Sequence, residues 1–295
     1  MSMKQNAKCL LCSSRDNQPA SSYYDVYFNE SNFHYLACNH CNCLFIDPIP
    51  SNDDFLKMYQ NESYHEQHYV DSDISPYLES AKLLSKFAVP QNTRVLDFGC
   101  GYGHFLKALV SEGFSADGLE FDKAACHKAE IYSGCRVRNT SEMNDIDQEQ
   151  FDVIHLGDVL EHLQDPHPTM KKLIKKLRGQ GLIFIEGPIE TNPSLVFWSR
   201  QTYGLIKKIL IREKNIGKPT HLIKVNASTQ LNFIMELSKG IQCLHWEVYE
   251  TGWPYHNGGM IKHSIALMAK RLGGKRLFTQ IMGNRFKGIF QVSQN

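Results

Sequence analysis

The chain has 295 residues, 42% hydrophobic residues and a formal net charge of +1, which is enough for one large α/β domain with a small appendage. No apolar run approaches the roughly 20 residues of a membrane-spanning helix, and the polar N-terminus lacks a signal-peptide core, so we expect a cytoplasmic protein. Residues 47–167 hold 9 Lys/Arg and 22 Asp/Glu (−13), whereas residues 171–295 hold 20 and 6 (+14), which indicates either solvated helix faces or a surface for an anionic substrate or membrane headgroups.

The first feature along the chain is a pair of Cys-x-x-Cys sequences within residues 1–50. Their members are Cys9, Cys12, Cys38 and Cys41. In a reducing compartment this paired spacing favours metal over disulfides, and four thiolates can close a structural, tetrahedral Zn²⁺ site. The 25-residue insert between the pairs suits a small β-hairpin, and metal binding would contribute to the folding of so small a module. Cys43 and His40 are spare donors.

A helix is predicted over residues 76–88. After it the sequence predicts a strand, a glycine turn and a second helix. The strand runs from Thr93 to Phe98, and the next helix ends near Gly113. Between them lie Gly99, Gly101 and Gly103. Glycines at alternate positions permit positive φ and let a ligand approach the backbone amides at the helix start. A glycine turn can also serve packing alone.

The next elements predict a parallel sheet with right-handed crossovers. A second strand ends at Glu120, whose carboxylate can accept two ribose hydroxyls. A helix over 122–132, a short strand over 135–138 and a fourth strand over 151–156 continue the βαβαβ succession. Gly157 and Asp158 then lie at the carboxyl edge, where open α/β sheets place their ligands.

Three segments, Val95–Gly103, Glu120 and Phe151–Pro166, together resemble class I S-adenosylmethionine-dependent methyltransferases. A dinucleotide-binding dehydrogenase would instead need a third glycine at the position of His104. The resemblance implies a doubly wound, mostly parallel sheet of seven strands in the order 3-2-1-4-5-7-6. It places this domain at residues 91–295, behind a helical linker that caps the cofactor site.

That linker is residues 51–90. The cysteine pairs, Leu44–Pro50 and the segment with Tyr59 and Tyr64 resemble the N-terminal module of bacterial methyltransferases that modify sugars or natural products. The resemblance implies that both tyrosines lie near the cofactor, although packing explains them equally well.

The resemblance also implies roles for residues at the cofactor. Asp97 and the three glycines would hold the methionine end, Glu120 the ribose and Phe121 the adenine face. The other predicted contacts are Leu156, Gly157, Asp158 and, more weakly, Ser141 and Glu142. A solvated loop is an equal explanation for the last two.

Glu161 and His162 form the first candidate catalytic pair, because a His beside a carboxylate can remove a proton near neutral pH. They could instead stabilise the local loop. A third alternative is metal: Asp158-x-x-Glu161-His162 resembles the Glu-x-x-Glu-His stretch of quinone-biosynthesis O-methyltransferases that hold a divalent cation, with Asp in place of the first Glu. His221 is a second candidate base or a hydrogen-bonded structural His.

An insertion over residues 188–225 follows the fifth strand, Gly181–Glu186, and in similar enzymes such a segment covers the acceptor pocket. Its basic part, 195–215, or the C-terminal region is also a candidate for peripheral membrane contact. Helices over 227–237 and 258–272, a β-rich run over 242–249 and a final antiparallel strand complete the chain.

The predicted function is S-adenosylmethionine-dependent O-methylation of a sugar, on a nucleotide-linked or surface-polysaccharide precursor, with a structural zinc. C- or O-methylation of another small natural product is the alternative. A nucleic-acid-binding zinc protein is disfavoured, because few Lys/Arg lie near the cysteine pairs, and we expect no nucleic-acid partner. A non-catalytic protein that only binds the cofactor is a further alternative.

Overall fold

The computed structural model describes residues 7–21, 24–59, 73–146, 151–211, 216–252, 259–277 and 280–293. Within them the helices are α1 Asn52–Tyr59, α2 Ser75–Leu84, α3 His104–Ser111, α4 Lys123–Ser133, α5 Pro166–Ile174, α6 Leu195–Ile211, α7 Ala227–Glu236 and α8 Met260–Leu272. Short 3₁₀ helices cover Pro90–Asn92, Thr140–Ile146 and Leu160–His162. None of the helices in these residues is long and apolar enough to cross a bilayer.

The strands form two larger sheets and one small hairpin. They are β1 Asn17–Pro19, β2 Val26–Phe28, β3 Ser31–Cys38, β4 Leu44–Asp47, β5 Arg94–Phe98, β6 Ser115–Glu120, β7 Arg136–Asn139, β8 Phe151–Gly157, β9 Leu177–Pro188, β10 Ile223–Lys224, β11 Ile241–Tyr249, β12 Arg276–Leu277, β13 Gln280–Ile281 and β14 Arg285–Val292. The pair β12–β13 is a hairpin that the sequence pattern did not predict.

The main sheet has the order β11-β14-β9-β8-β5-β6-β7. Strands β5 to β9 pair in parallel, and β14 inserts antiparallel between β9 and β11. Counted from β5, this is the predicted order 3-2-1-4-5-7-6, and the class I methyltransferase fold is confirmed. The central strands read as apolar runs because helices cover both faces of a parallel sheet.

The second sheet joins the N-terminal segment to the rest of the chain. Its order is β1-β3-β4-β10, with β2 paired to β3. Strand β10 comes from the end of the predicted insertion and pairs antiparallel with β4, with Ile223 opposite Phe45. The predicted hairpin is therefore present as β2–β3, and a distant segment completes its sheet. The predicted domain boundaries stay predictions.

The hydrophobic core is continuous between the two sheets. Side chains of the N-terminal segment, such as Phe33 and Phe45, belong to the same buried cluster as Leu156 and Leu160 of the main domain. The sequence indicated that residues 1–50 are too few for a core of their own. Packing against β8 and β10 supplies the missing apolar surface.

Candidate functional site

The glycine turn after β5 adopts a conformation that other residues rarely take. Gly99, Gly101 and Gly103 have φ of 79°, 53° and 83°. A Cβ at Gly99 would lie 2.4 Å from Val159 Cγ2, so this position also requires glycine for close packing. The turn thus brings backbone amides to the start of α3, and the three glycines themselves place no side chain over them.

Glu120 closes the other side of this turn. Its buried carboxylate accepts hydrogen bonds from the backbone N–H of Gly101 (2.8 Å), Phe121 (2.8 Å) and Asp122 (3.0 Å). Burial raises the pKa of Glu120, and these three donors oppose that shift. The carboxylate at the end of β6 is therefore fixed next to the glycine turn, where the predicted ribose contact requires it.

Asp97 belongs to a buried polar chain that crosses four adjacent strands. His155 Nδ1 donates to Asp97 Oδ1 (2.7 Å), and His155 Nε2 lies 3.3 Å from Glu186 Oε1. Lys287 lies 3.6 Å from Glu186 Oε2, which also accepts from the hydroxyl of Ser80 (2.8 Å). These side chains link β5, β8, β9 and β14 behind the cofactor edge, with α2 supplying the serine.

Opposite charges control the protonation of this chain. Burial disfavours the imidazolium, but Asp97 and Glu186 outweigh it and raise the pKa of His155 to about 9. Burial likewise disfavours the Glu186 carboxylate, yet His155, Lys287 and Ser80 lower its pKa to about 2. A protonated His155 therefore lies between two carboxylates at neutral pH.

Asp158 stands at the carboxyl edge of β8 with a positive φ of 54°. Arg285, at the start of β14, donates to both of its carboxylate oxygens at 2.7 and 2.8 Å. A Cβ on Gly187 would lie 3.8 Å from Asp158 Oδ1 and 3.7 Å from Glu161 Oε2. Asp158 and Glu161 thus converge on the end of β9, within contact distance of Gly187.

Glu161, His162 and His221 form a compact cluster beyond Asp158. One ligand atom from each lies within 4.8 Å of the others. The rings of His162 and His221 meet edge to face at 4.8 Å, and His162 Nδ1 donates to the Thr220 carbonyl (2.7 Å). The structure therefore brings together all three predicted catalytic residues, although 58 positions separate His162 from its partner Thr220.

The pKa of Glu161 is raised to about 7, first by burial and then by the Asp158 charge. Its Oε1 has no hydrogen-bond partner within the described residues. A carboxylate and two imidazoles in this arrangement can move a proton near neutral pH. The same donor set could also hold a divalent cation. The sequence alternative named Asp158 with Glu161 and His162, whereas here His221 joins that pair and Asp158 binds Arg285.

A second carboxylate, absent from the sequence predictions, orients His221. His221 Nδ1 donates to Glu190 Oε2 (2.8 Å), and Lys224 donates to both Glu190 oxygens at 3.0 Å. Burial opposes the imidazolium, but Glu190 raises the pKa of His221. The hydroxyl of Tyr35, on β3, donates to the His221 carbonyl (2.5 Å). Strands β3 and β10 thus hold the candidate base from two sides.

The four predicted zinc ligands also meet. Their sulfurs lie within 4.8 Å of one another, with 3.7 Å between Cys9 and Cys41 and 3.5 Å between Cys12 and Cys38. A Zn–S bond of about 2.3 Å separates the sulfurs of a tetrahedral site by about 3.8 Å, so the cluster fits Zn²⁺. Of the spare donors, Cys43 is buried 3.4 Å from Cys9, and His40 is exposed.

The remaining predicted cofactor contacts have different positions. Phe121 is half exposed beside the glycine turn, and Asn139 donates to its carbonyl (2.7 Å) while accepting from the Ser141 hydroxyl (2.7 Å). Leu156 points into the core, and Gly157 lies at the strand end. Tyr64 and the side chain of Tyr59 lie outside the described residues.

The sequence predictions missed several polar residues of the site. His155 had one signal, a titratable side chain inside the otherwise apolar β8. Glu190, Lys224 and Arg285 had none, because each gains its role from a partner more than 30 positions away.

Comparison with known proteins agrees with this geometry. Residues 67–205, just under half of the chain, match a family described as a methyltransferase domain. A ubiquinone biosynthesis O-methyltransferase of Aliivibrio fischeri is 25% identical over 163 residues, which cover 52% of this chain and 68% of the relative. One of Pseudomonas fluorescens is 27% identical over 126 residues, 40% of this chain and 54% of the relative.

Solved structures show the same fold at low identity. An S-adenosylmethionine-dependent methyltransferase from Archaeoglobus fulgidus has a TM-score of 0.52 and 18% identity, over 78% of this chain and all of that one. The plantazolicin methyltransferase BamL, solved with S-adenosylhomocysteine, has a TM-score of 0.50 and 16% identity, over 82% of this chain and 95% of that one.

The sheet order, the glycine turn and the acid after the next strand are those of the class I methyltransferase fold. The methyltransferase-domain match over residues 67–205 and the O-methyltransferase relatives, together with the shared fold, indicate an S-adenosylmethionine-dependent methyltransferase. Its residues fit that cofactor: a glycine-rich turn for the methionine end, a fixed carboxylate for the ribose, and a half-exposed ring beside it for the adenine.

Proposed function

We propose that the chain methylates a hydroxyl of a sugar on a nucleotide-linked or surface-polysaccharide precursor. The observation that carries O-methylation is the Glu190–His221 pair beside Glu161, because a sugar hydroxyl must lose its proton to accept a methyl group and a positioned base can remove that proton. The relatives named O-methyltransferases support the same reaction class. The basic second half, with a balance of +14 over residues 171–295, suits an acceptor that carries phosphates.

We assign the base to His221. Glu190 holds its Nδ1 as the donor, so the lone pair of Nε2 is left to accept the acceptor proton. Glu190 stabilises the imidazolium that forms, as the carboxylate does in other His–carboxylate pairs. His162 is held through Nδ1 by a neutral carbonyl, which stabilises its charged form less. Glu161 and Asp158 then line the space between base and cofactor.

Bound S-adenosylmethionine supplies an activated methyl group on a sulfonium. The chain therefore has three tasks: Asp97, Glu120 and the glycine turn bind the donor, the carboxyl edge orients the acceptor, and His221 removes its proton. The insertion over 188–225 contributes Glu190, His221 and Lys224, so we expect acceptor specificity to depend on it.

An acceptor panel tests the reaction. Purified protein with labelled S-adenosylmethionine is incubated with nucleotide sugars, lipid-linked sugars and dihydroxybenzenes, and labelled products are mapped by NMR. Methylation at a sugar oxygen is the expected result. A label on carbon, or no transfer to any sugar, would contradict the proposal.

A second candidate acceptor is a phenolic hydroxyl of another small natural product. The observation that favours it is the name of the relatives, which act in ubiquinone biosynthesis. The dihydroxybenzenes of the same panel distinguish the two acceptors. If a cation at Glu161, His162 and His221 assists either reaction, added Mg²⁺ will restore turnover to protein treated with a chelator.

We also propose that Cys9, Cys12, Cys38 and Cys41 bind one structural Zn²⁺. All four positions of a tetrahedral ion are filled by thiolates, so the ion has no open position for chemistry. Elemental analysis of protein purified without added metal should find one zinc per chain. Its absence would contradict the assignment.

A further inference from the structure

The paired helices α6 and α8 carry an unusual charge composition. They contact each other, and we call residues 195–211 and 259–277 the basic face. It contains eight Lys/Arg and no Asp/Glu. The cations are Arg200, Lys207, Lys208, Lys262, Lys270, Arg271, Lys275 and Arg276. A solvated helix face ordinarily carries charges of both signs, so solvation alone does not account for this composition.

Large apolar side chains are exposed on the same two helices. On α6 they are Trp198, Tyr203 and Ile206, which are 40%, 67% and 54% exposed. On α8 they are Met260, Leu267 and Met268, which are 88%, 48% and 57% exposed. Among the described side chains of α8, only Ala269 is buried. A helix that exposes apolar residues beside cations is typical of helices at a membrane surface.

The basic face adjoins the carboxyl edge of the main sheet. Helix α6 follows the end of β9, and α8 follows the end of β11. Arg285 joins both ends, since it pairs with Pro188 of β9 and its Nε donates to the Tyr249 hydroxyl of β11 (3.3 Å). The same Arg285 binds Asp158 in the site. A surface docked against α6 and α8 therefore lies next to the acceptor side of the site.

We propose that the basic face docks this edge of the enzyme on an anionic lipid bilayer, so that the acceptor is met at the membrane surface. The meeting with the acceptor rests on the proposed function, whereas the docking itself does not. Anionic headgroups attract the eight cations, and the boundary of the acyl chains covers Met260, Leu267 and Met268. A nucleic acid would attract the cations as well but would leave those apolar side chains in water.

Vesicle sedimentation tests the proposal with the full chain. Vesicles of phosphatidylcholine with phosphatidylglycerol should bind the protein, and vesicles of phosphatidylcholine alone should bind it at least about tenfold more weakly. The double variant Arg271→Glu/Arg276→Glu should lose at least about tenfold in binding, since each cation near an anionic surface contributes on the order of fivefold. Leu267→Ser/Met268→Ser should also weaken binding, at unchanged charge.

Lys171→Glu/Lys172→Glu provides the matched control, because it changes the net charge equally at two exposed positions of α5, outside the basic face. It should retain binding within about twofold of the unchanged protein. Equal binding to both vesicle types, an equal loss in the control, or tighter binding to a generic RNA than to anionic vesicles would overturn the proposal. Binding of S-adenosylhomocysteine and transfer to soluble acceptors report on the proposed function separately.

Discussion

The proposed cofactor half and the proposed acceptor half of the site are built in different ways. The cofactor half takes Asp97, the glycine turn, Glu120 and Phe121 from one stretch of 25 residues across two neighbouring strands. The acceptor half takes Tyr35, Glu161, Glu190 and His221 from four distant segments, one of them in the N-terminal module. A local motif suffices for the first half, whereas tertiary structure assembles the second.

This difference indicates that the cysteine-rich module helps to position the acceptor half. Strand β4 pairs with β10, and the Tyr35 hydroxyl of β3 donates to the His221 carbonyl, so the module supports the segment that carries the proposed base. Thr229, at the start of α7, also donates to the Cys41 carbonyl (2.8 Å). We therefore expect perturbations of the module to affect turnover and leave cofactor binding unchanged.

The largest expected effect separates the two halves by substitution of the base. His221→Asn should lower kcat by roughly 100- to 10,000-fold, the usual contribution of a general base. The affinity for S-adenosylhomocysteine should stay within about twofold, as measured by calorimetry. His162→Asn is the matched control and should lose less. If kcat fell further in His162→Asn than in His221→Asn, the base would be His162 and not His221.

Asp97→Ala should break the cofactor half. Loss of its predicted contact with the methionine end should lower the affinity for S-adenosylhomocysteine on the order of 100-fold. Removing one partner of the buried ion pair with His155 should also cost about 3–5 kcal/mol of folding stability. The variant Asp97→Asn keeps the shape and guards against misfolding, which a melting curve would detect. Asp117→Ala, on the neighbouring β6, provides the control for a carboxylate of the same sheet. Unchanged affinity in Asp97→Asn would contradict the assignment.

The same contrast explains what could be predicted from the sequence. The succession of strand and helix periods and the glycine turn predicted a parallel sheet with a ligand at the helix start. The resemblance to class I methyltransferases then implied the strand order and the cofactor residues. His221 could be named as a candidate base from the sequence. Its partner Glu190 could not be predicted, because their pairing depends on how residues 188–225 fold back onto β4. His155 illustrates an intermediate case, since its strand was predicted but not its two carboxylate partners.

Loss of the proposed zinc should also separate the two halves of the site, with a smaller effect on kcat than substitution of His221. Cys38→Ser should lower the zinc content and reduce kcat on the order of tenfold, because displacing a base by about 1 Å costs up to ~100-fold. Cofactor affinity should change less than about twofold. Cys243→Ser, a thiol on β11 outside the cluster, is the control. Full turnover in a zinc-free Cys38→Ser protein would show that the module does not position His221.

The smallest expected effect is a pH dependence of stability that originates in the cofactor half. His155 has a pKa near 9 in the folded protein, above its ordinary value of about 6.5. Between these values the folded state binds more protons than the unfolded state, so the free energy of unfolding decreases as the pH rises. From pH 7 to pH 8 the decrease attributable to His155 should be about 1 kcal/mol, close to the limit of ~1.4 kcal/mol per pH unit for one proton.

Denaturant titrations of the unchanged protein and of His155→Gln at both pH values measure this decrease as a difference between the two proteins. His34→Gln, at a side chain that is half exposed, controls for loss of a histidine as such. An identical pH slope in the unchanged protein and in His155→Gln would mean that Asp97 and Glu186 do not hold the imidazolium. The backbone of β5 alone would then position Asp97. The residues of the cofactor half would in that case depend only on their own stretch of sequence and not on side chains of β8 and β9.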